Sequence, residues 1–165
     1  MASILHSSAS VVHMLAVSLA LATGTTTLLR AKGTAWHRRL GWLYVGSMGG
    51  VLLTAFRIYF LFGHFGIVHW GAVGSLLALG LGVGAAMCRP VLGAWLRWHY
   101  IGMGASITGL YAALVVESTY RLFPAAYFWW STLGPASAVF FVGGVLLHRH
   151  YPTWVGLRAE TRFSR

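Results

Sequence analysis

The chain has 165 residues, of which 58% are apolar, 15% aromatic and only 8% charged, and its mean hydropathy is +0.71. A soluble domain carries about 25% charged residues, so this inventory cannot build a water-exposed surface and the chain reads as an integral membrane protein. Twelve Lys/Arg stand against two acidic residues. These bases gather between apolar runs, as topology signals and anionic-lipid contacts do, rather than forming a nucleic-acid-binding stripe.

Taken in chain order, the first apolar run covers roughly 9–29. Its stretch from Val11 to Leu21, followed by Ala20-Leu21-Ala22, resembles a signal peptide. No basic residue precedes it and His13 interrupts it, which favours an uncleaved helix. Four further runs follow at about 40–62, 67–87, 92–116 and 126–147. Each is long enough for the ~20 residues that a spanning helix needs. The expected fold is therefore an all-α polytopic bundle of five spans: a four-helix histidine-bearing core plus one, in a single domain over 1–150. The basic tail covers 151–165.

Loop charges set the expected orientation. Arg30, Lys32, Arg38 and Arg39 lie in the first connection, Arg89 and Arg97 in the third, and Arg149, Arg158, Arg162 and Arg165 at the end. Only Arg57 and Arg121 lie near the opposite side. The positive-inside rule then places the N-terminus outside and the C-terminus in the cytoplasm. Small residues at Gly46/Gly50 and Gly80/Gly84, with Gly102, Gly104 and Gly109, allow close helix packing or make room for a flat cofactor. Cys88 is the one cysteine, so neither an internal disulfide nor a thiolate cluster can form.

Eight histidines are many for so few polar residues, and ionisable groups inside spans are rare and usually functional. At about 1.5 Å per residue His13 lies roughly 25 Å from Arg30, and His69 roughly 30 Å from Arg89. Both belong to the outer leaflet, whereas His37 and His99 lie towards the inner one. Paired imidazoles at two depths are what one or two b-type haems between helices require. Arg57 on the outer side, and Arg38 or Arg39 on the inner, are candidate propionate partners. Met103, four residues after His99, either lines the pocket or serves as an alternative ligand. His37 is the shallowest candidate, and His148 or His150 can replace it. His6, His64, His148 and His150 lie at interfaces, where a histidine can simply be hydrated.

Glu117 is placed to pair with Arg57 or Arg121. No Ser/His/Asp set, HExxH motif or phosphate-binding loop occurs, which weakens a hydrolase reading. Two other readings stay open: a non-catalytic helical subunit of a membrane complex, and a zinc or copper site built from three of the same histidines. The haem reading implies a quinone or redox protein as partner, and the glycine faces serve a homo-oligomer or larger complex equally well.

His13, Lys32-Gly33-Thr34, His37-Arg38 and Gly41-Trp42 together resemble the signature of a family of small prokaryotic multi-span membrane proteins of unknown function. The resemblance covers roughly residues 10–116, with His69 and His99 at the later histidine positions. It implies a bacterial membrane location and little settled biochemistry. In plan, the two-layer histidine arrangement is similar to cytochrome b561-type electron carriers, an architectural analogy only.

Overall fold

A computed structural model describes residues 8–57, 63, 65–89, 91–92 and 94–151. Among these residues the chain is all-α: α1 (Ser8–Leu29), α2 (Ala35–Ala55), α3 (Ile67–Met87), α4 (Trp95–Thr119) and α5 (Phe128–His150). Two single 3-10 turns, Tyr120–Leu122 and Ala125–Tyr127, link the last two helices. Four stretches are long and apolar enough to cross a membrane: Ser8–Leu29, Ile67–Met87, Trp95–Leu122 and Ala125–His150. Large apolar side chains face outward, among them Leu29, Leu53, Trp130 and Phe141 at 83%, 72%, 81% and 74% exposure. Such a surface is unfavourable in water and suited to lipid.

The second expected span differs most. It was expected at 40–62, but the helix runs from Ala35 to Ala55, and residues 58–62 lie outside the described part. Its start is fixed by capping rather than by apolar content. Thr34 is extended, with φ −75° and ψ 164°, and its hydroxyl accepts from the His37 backbone N–H. This is the N-cap arrangement that satisfies one of the orphan donors of a first turn. Arg38 and Arg39 thus become helical, and they lower the apolar content of α2 below that of the other four helices.

The chain divides into two compact units, Met1–Leu76 and Leu77–Arg165, with α3 running through the division. In the first, α1 and α2 form an antiparallel hairpin around a tight corner. Lys32 Nζ donates to the Thr27 carbonyl at 2.7 Å and also to that of Leu28, two of the free carbonyls at the end of α1. Gly33 turns the chain at φ +79°, a left-handed conformation that suits glycine. Arg38 Nη1 closes the corner by donating to the Gly33 carbonyl at 3.1 Å. Along the hairpin Ala20, Tyr44 and Met48 are buried. A Cβ on Gly50 would lie 3.3 Å from Ala16 Cβ, so the helices approach closely there.

In the second unit, glycines again mark the close approaches. A Cβ on Gly102 would lie 2.7 Å from the Ala78 carbonyl oxygen, and one on Gly143 would lie 2.5 Å from Thr108 Cγ2. Tyr100 Oη donates to the Leu147 carbonyl at 3.1 Å, joining α4 to α5. Pro135 interrupts α5 and removes the N–H that the Ser131 carbonyl would otherwise accept. Thr119 Oγ1 lies 2.8 Å from that carbonyl, within reach to donate in place of the missing N–H, and equally 2.8 Å from the Val115 carbonyl of its own helix.

Candidate functional site: the membrane histidines

His13 lies in the second turn of α1 and is half-buried. Its Nδ1 is 2.7 Å from Thr54 Oγ1 in the last turn of α2. The Thr54 hydroxyl has a single proton, and the Gly50 carbonyl stands 2.7 Å away as a pure acceptor. With that proton directed at Gly50, the contact is made by His13 Nδ1–H donating to Thr54. The imidazole lone pair is then on Nε2.

His69 reaches the same end of α2 by another route. It is buried, at 4% exposure, and its ring lies 4.9 Å from Phe65, which in turn stacks on Phe56 at 6.5 Å. Phe56 follows Thr54 by two residues. Each member of the expected outer pair thus connects to the end of α2 opposite the basic corner, His13 through Thr54 and His69 through Phe65 and Phe56. The hydrogen bonding of the two rings differs. Gly66 N–H donates to His69 Nδ1 at 3.1 Å, which places the proton of neutral His69 on Nε2. Gly66 precedes α3 and His69 is its third residue, so the ring caps the helix from inside, as the third-position Glu of a capping box does.

The expected inner pair falls in different units. His37 occupies the third position of α2 and is half-buried, with its backbone N–H held by Thr34. His99, near the start of α4, donates from Nδ1 to the Gly82 carbonyl of α3 at 2.8 Å. A carbonyl only accepts, so here too the lone pair is on Nε2. Met103 packs on the same turn of α3: a Cβ on Gly82 would lie 2.9 Å from Met103 Sδ.

The arginines divide similarly. Arg38 is engaged at Gly33, and the Arg39 guanidinium sits 6.0 Å over the Trp36 ring. Arg57 is exposed, just beyond the end of α2 that carries Thr54. Glu117 pairs with Arg121 at 3.1 Å, one helical turn away. His148 and His150 are exposed at the end of α5, where His150 Nδ1 bonds the Leu146 carbonyl at 2.8 Å. His6 and His64 lie outside the described residues.

Among the described residues no three His, Cys, Asp or Glu side chains gather into a metal-binding group. A three-histidine zinc or copper centre needs such a gathering. Among the described residues each unit has an apolar surface groove, at α1–α2 and between α3 and α4, and neither of these is lined by a histidine. Sequence reasoning missed Thr54 and Gly82, the partners that orient His13 and His99. A threonine in an apolar run is a weak signal, and a backbone carbonyl leaves none. No family model, no curated protein and no solved structure matches the chain.

Proposed function

We propose that this chain is a five-span membrane protein that binds b-type haem between its helices and passes electrons, with His13 as the best-prepared ligand and His69 as its partner. The observation that carries the reading is the His13–Thr54 bond at 2.7 Å. Histidines that ligate metals almost always donate their other ring N–H to a protein acceptor, which fixes the tautomer and the ring orientation. His13 has that arrangement when the Thr54 proton goes to the Gly50 carbonyl, at the same end of α2 as His69. His99, donating to Gly82, has it as well. The exposed Arg57, just beyond the end of α2, would pair with a propionate at the outer site. His69 meets the requirement only if the Gly66 N–H is released, so that its proton moves to Nδ1. Bound haem would supply one-electron exchange between ferric and ferrous iron. The orientation with the N-terminus outside rests on ten of the twelve bases lying on one side, and the electron partner is a quinol or a redox protein.

A second reading is favoured by the His69–Gly66 bond. As a helix cap, with His99 acting as a clamp between α3 and α4, these histidines serve a non-catalytic helical subunit of a larger membrane complex. One spectrum separates the two readings. Protein purified after expression with ample haem should show a Soret band and α-bands that sharpen on dithionite reduction. Colourless protein would overturn the haem reading. His13→Ala and His69→Ala should remove the same spectral component, and loss of different components rules out the pair.

A further inference from the structure

One stripe of α2 carries Arg38, Trp42, Gly46 and Gly50 at intervals of four residues, with Arg39, Leu43 and Ser47 beside it. Residues four apart lie on one helix face. Trp42, Leu43, Gly46, Ser47 and Gly50 form one wall of an apolar surface groove of about 440 Å³, whose other wall is the Val12–Leu19 face of α1. The groove is open at Gly46, where an added Cβ would meet nothing within 4 Å. It closes at Gly50, where α1 comes near. From Trp42 to Gly50 it runs about 12 Å along the helix, at 1.5 Å per residue.

Within the first unit the basic end of this groove has no acidic counterpart. Arg30, Lys32, Arg38 and Arg39 cluster at the α1–α2 corner, and residues 1–76 contain neither Asp nor Glu. Trp36 and Trp42 flank the arginines at 67% and 61% exposure, a disposition suited to the headgroup level of a bilayer. Arg38 uses one Nη1 bond on Gly33, which leaves other guanidinium N–H groups for a phosphate.

We propose that the α1–α2 hairpin binds one anionic phospholipid from the leaflet on its basic side. Its phosphate lies at Arg38 and Arg39, and part of one acyl chain fills the Trp42–Gly50 groove. Charge complementarity selects the occupant: an uncharged lipid or an apolar helix would fit the groove and leave the arginines without counter-ions. This inference does not depend on haem.

The test counts lipids retained by the purified full chain, using native mass spectrometry after exchange into micelles. The micelles contain dioleoylphosphatidylglycerol or dioleoylphosphatidylcholine, which share acyl chains and differ in headgroup charge. Phosphatidylglycerol should be retained preferentially, by roughly fivefold for each arginine engaged. Arg38→Gln with Arg39→Gln should abolish that preference, whereas Arg97→Gln should preserve it. Gly46→Leu and Leu15→Trp, which fill the groove from α2 and from α1, should each reduce phosphatidylglycerol retention. Helical circular dichroism identifies a variant that has failed to fold, and the other variant then decides. Equal retention of the two lipids overturns the proposal, as does an unchanged preference in the double arginine variant. Displacement of the lipid by millimolar inorganic phosphate would reduce the site to a headgroup contact and overturn the groove assignment. A change of oligomeric state in the groove variants with lipid retention intact would make the groove an interface between copies.

Discussion

His99 Nδ1 donates to the Gly82 carbonyl at 2.8 Å, and the same turn of α3 receives Gly102 and Met103 from α4. Hydrogen bond and close backbone approach occur together because the carbonyl of a helical residue is reachable only where side chains are small. A Cβ on Gly102 would lie 2.7 Å from the Ala78 oxygen, and backbone cannot yield as a side-chain tip can. Gly102→Ala should therefore destabilise the chain by about 1–3 kcal/mol. Gly80, where a Cβ meets nothing within 4 Å, is the control. Gly80→Ala should stabilise by about 0.5–1 kcal/mol through helix propensity. Detergent-denaturant unfolding followed by circular dichroism measures both, and equal effects would show that Gly102 is not a contact point.

The His13–Thr54 bond makes a prediction that distinguishes a ligand from a clamp. Thr54→Val keeps the shape of the side chain and removes the acceptor of Nδ1–H. If His13 only joins α1 to α2, a double-mutant cycle with His13→Ala should give a coupling of about 0.6 kcal/mol, typical of interhelical hydrogen bonds in membranes. If His13 ligates haem, Thr54→Val should in addition weaken haem binding by about 10–100-fold, as loss of such supporting bonds does elsewhere. Haem titration of the purified variant reads that second effect directly.

Much of the scaffold is legible in the sequence, for physical reasons that vary by helix. α3 falls at Ile67–Met87, where the apolar run itself places it, because lipid exposure demands an unbroken apolar stretch. α4 and α5 are displaced by two or three residues, since helix ends follow hydrogen bonds and not hydropathy. α2 is displaced by five at its start because Thr34 caps it ahead of the charged turn. The position of each described histidine along its helix follows from rise per residue, but its chemistry does not. The His13 ring is oriented by Thr54, 41 residues away, and the His99 tautomer is set by a backbone carbonyl. His69 is the instructive exception. Its partner Gly66 is three residues upstream, within reach of the capping rule, had an imidazole been considered in the role of a carboxylate.

The corner between α1 and α2 should also respond to pH. Partial burial lowers the Lys32 pKa below its ordinary 10.5. Below the folded pKa the ammonium is charged in both states and its burial cost is present. Between that value and 10.5 the folded state has released the proton and the unfolded chain retains it, so stability rises with pH across that window. Lys32→Gln should flatten this alkaline rise in a series of unfolding measurements. Thr34→Ala should cost about 1 kcal/mol at every pH, and Thr34→Ser should restore most of it. A rise that persists in Lys32→Gln would assign it to another group.

Pro135 and Thr119 form a pair whose coupling can be measured with little ambiguity. A proline inside α5 removes the donor for the Ser131 carbonyl, and Ser131 is buried, so that carbonyl needs another partner. Thr119 Oγ1, at 2.8 Å, is within reach to supply the bond from the end of α4. Thr119→Val should therefore destabilise by about 1–3 kcal/mol, the cost of a buried acceptor left without its donor. In a Pro135→Ala background the residue-135 N–H returns to the Ser131 carbonyl, and the same threonine substitution should then cost distinctly less. The non-additivity of the double variant is the decisive quantity. If Thr119→Val costs the same in both backgrounds, the threonine stabilises α4 through its contacts with the Val115 and Val116 carbonyls, and not through the proline break.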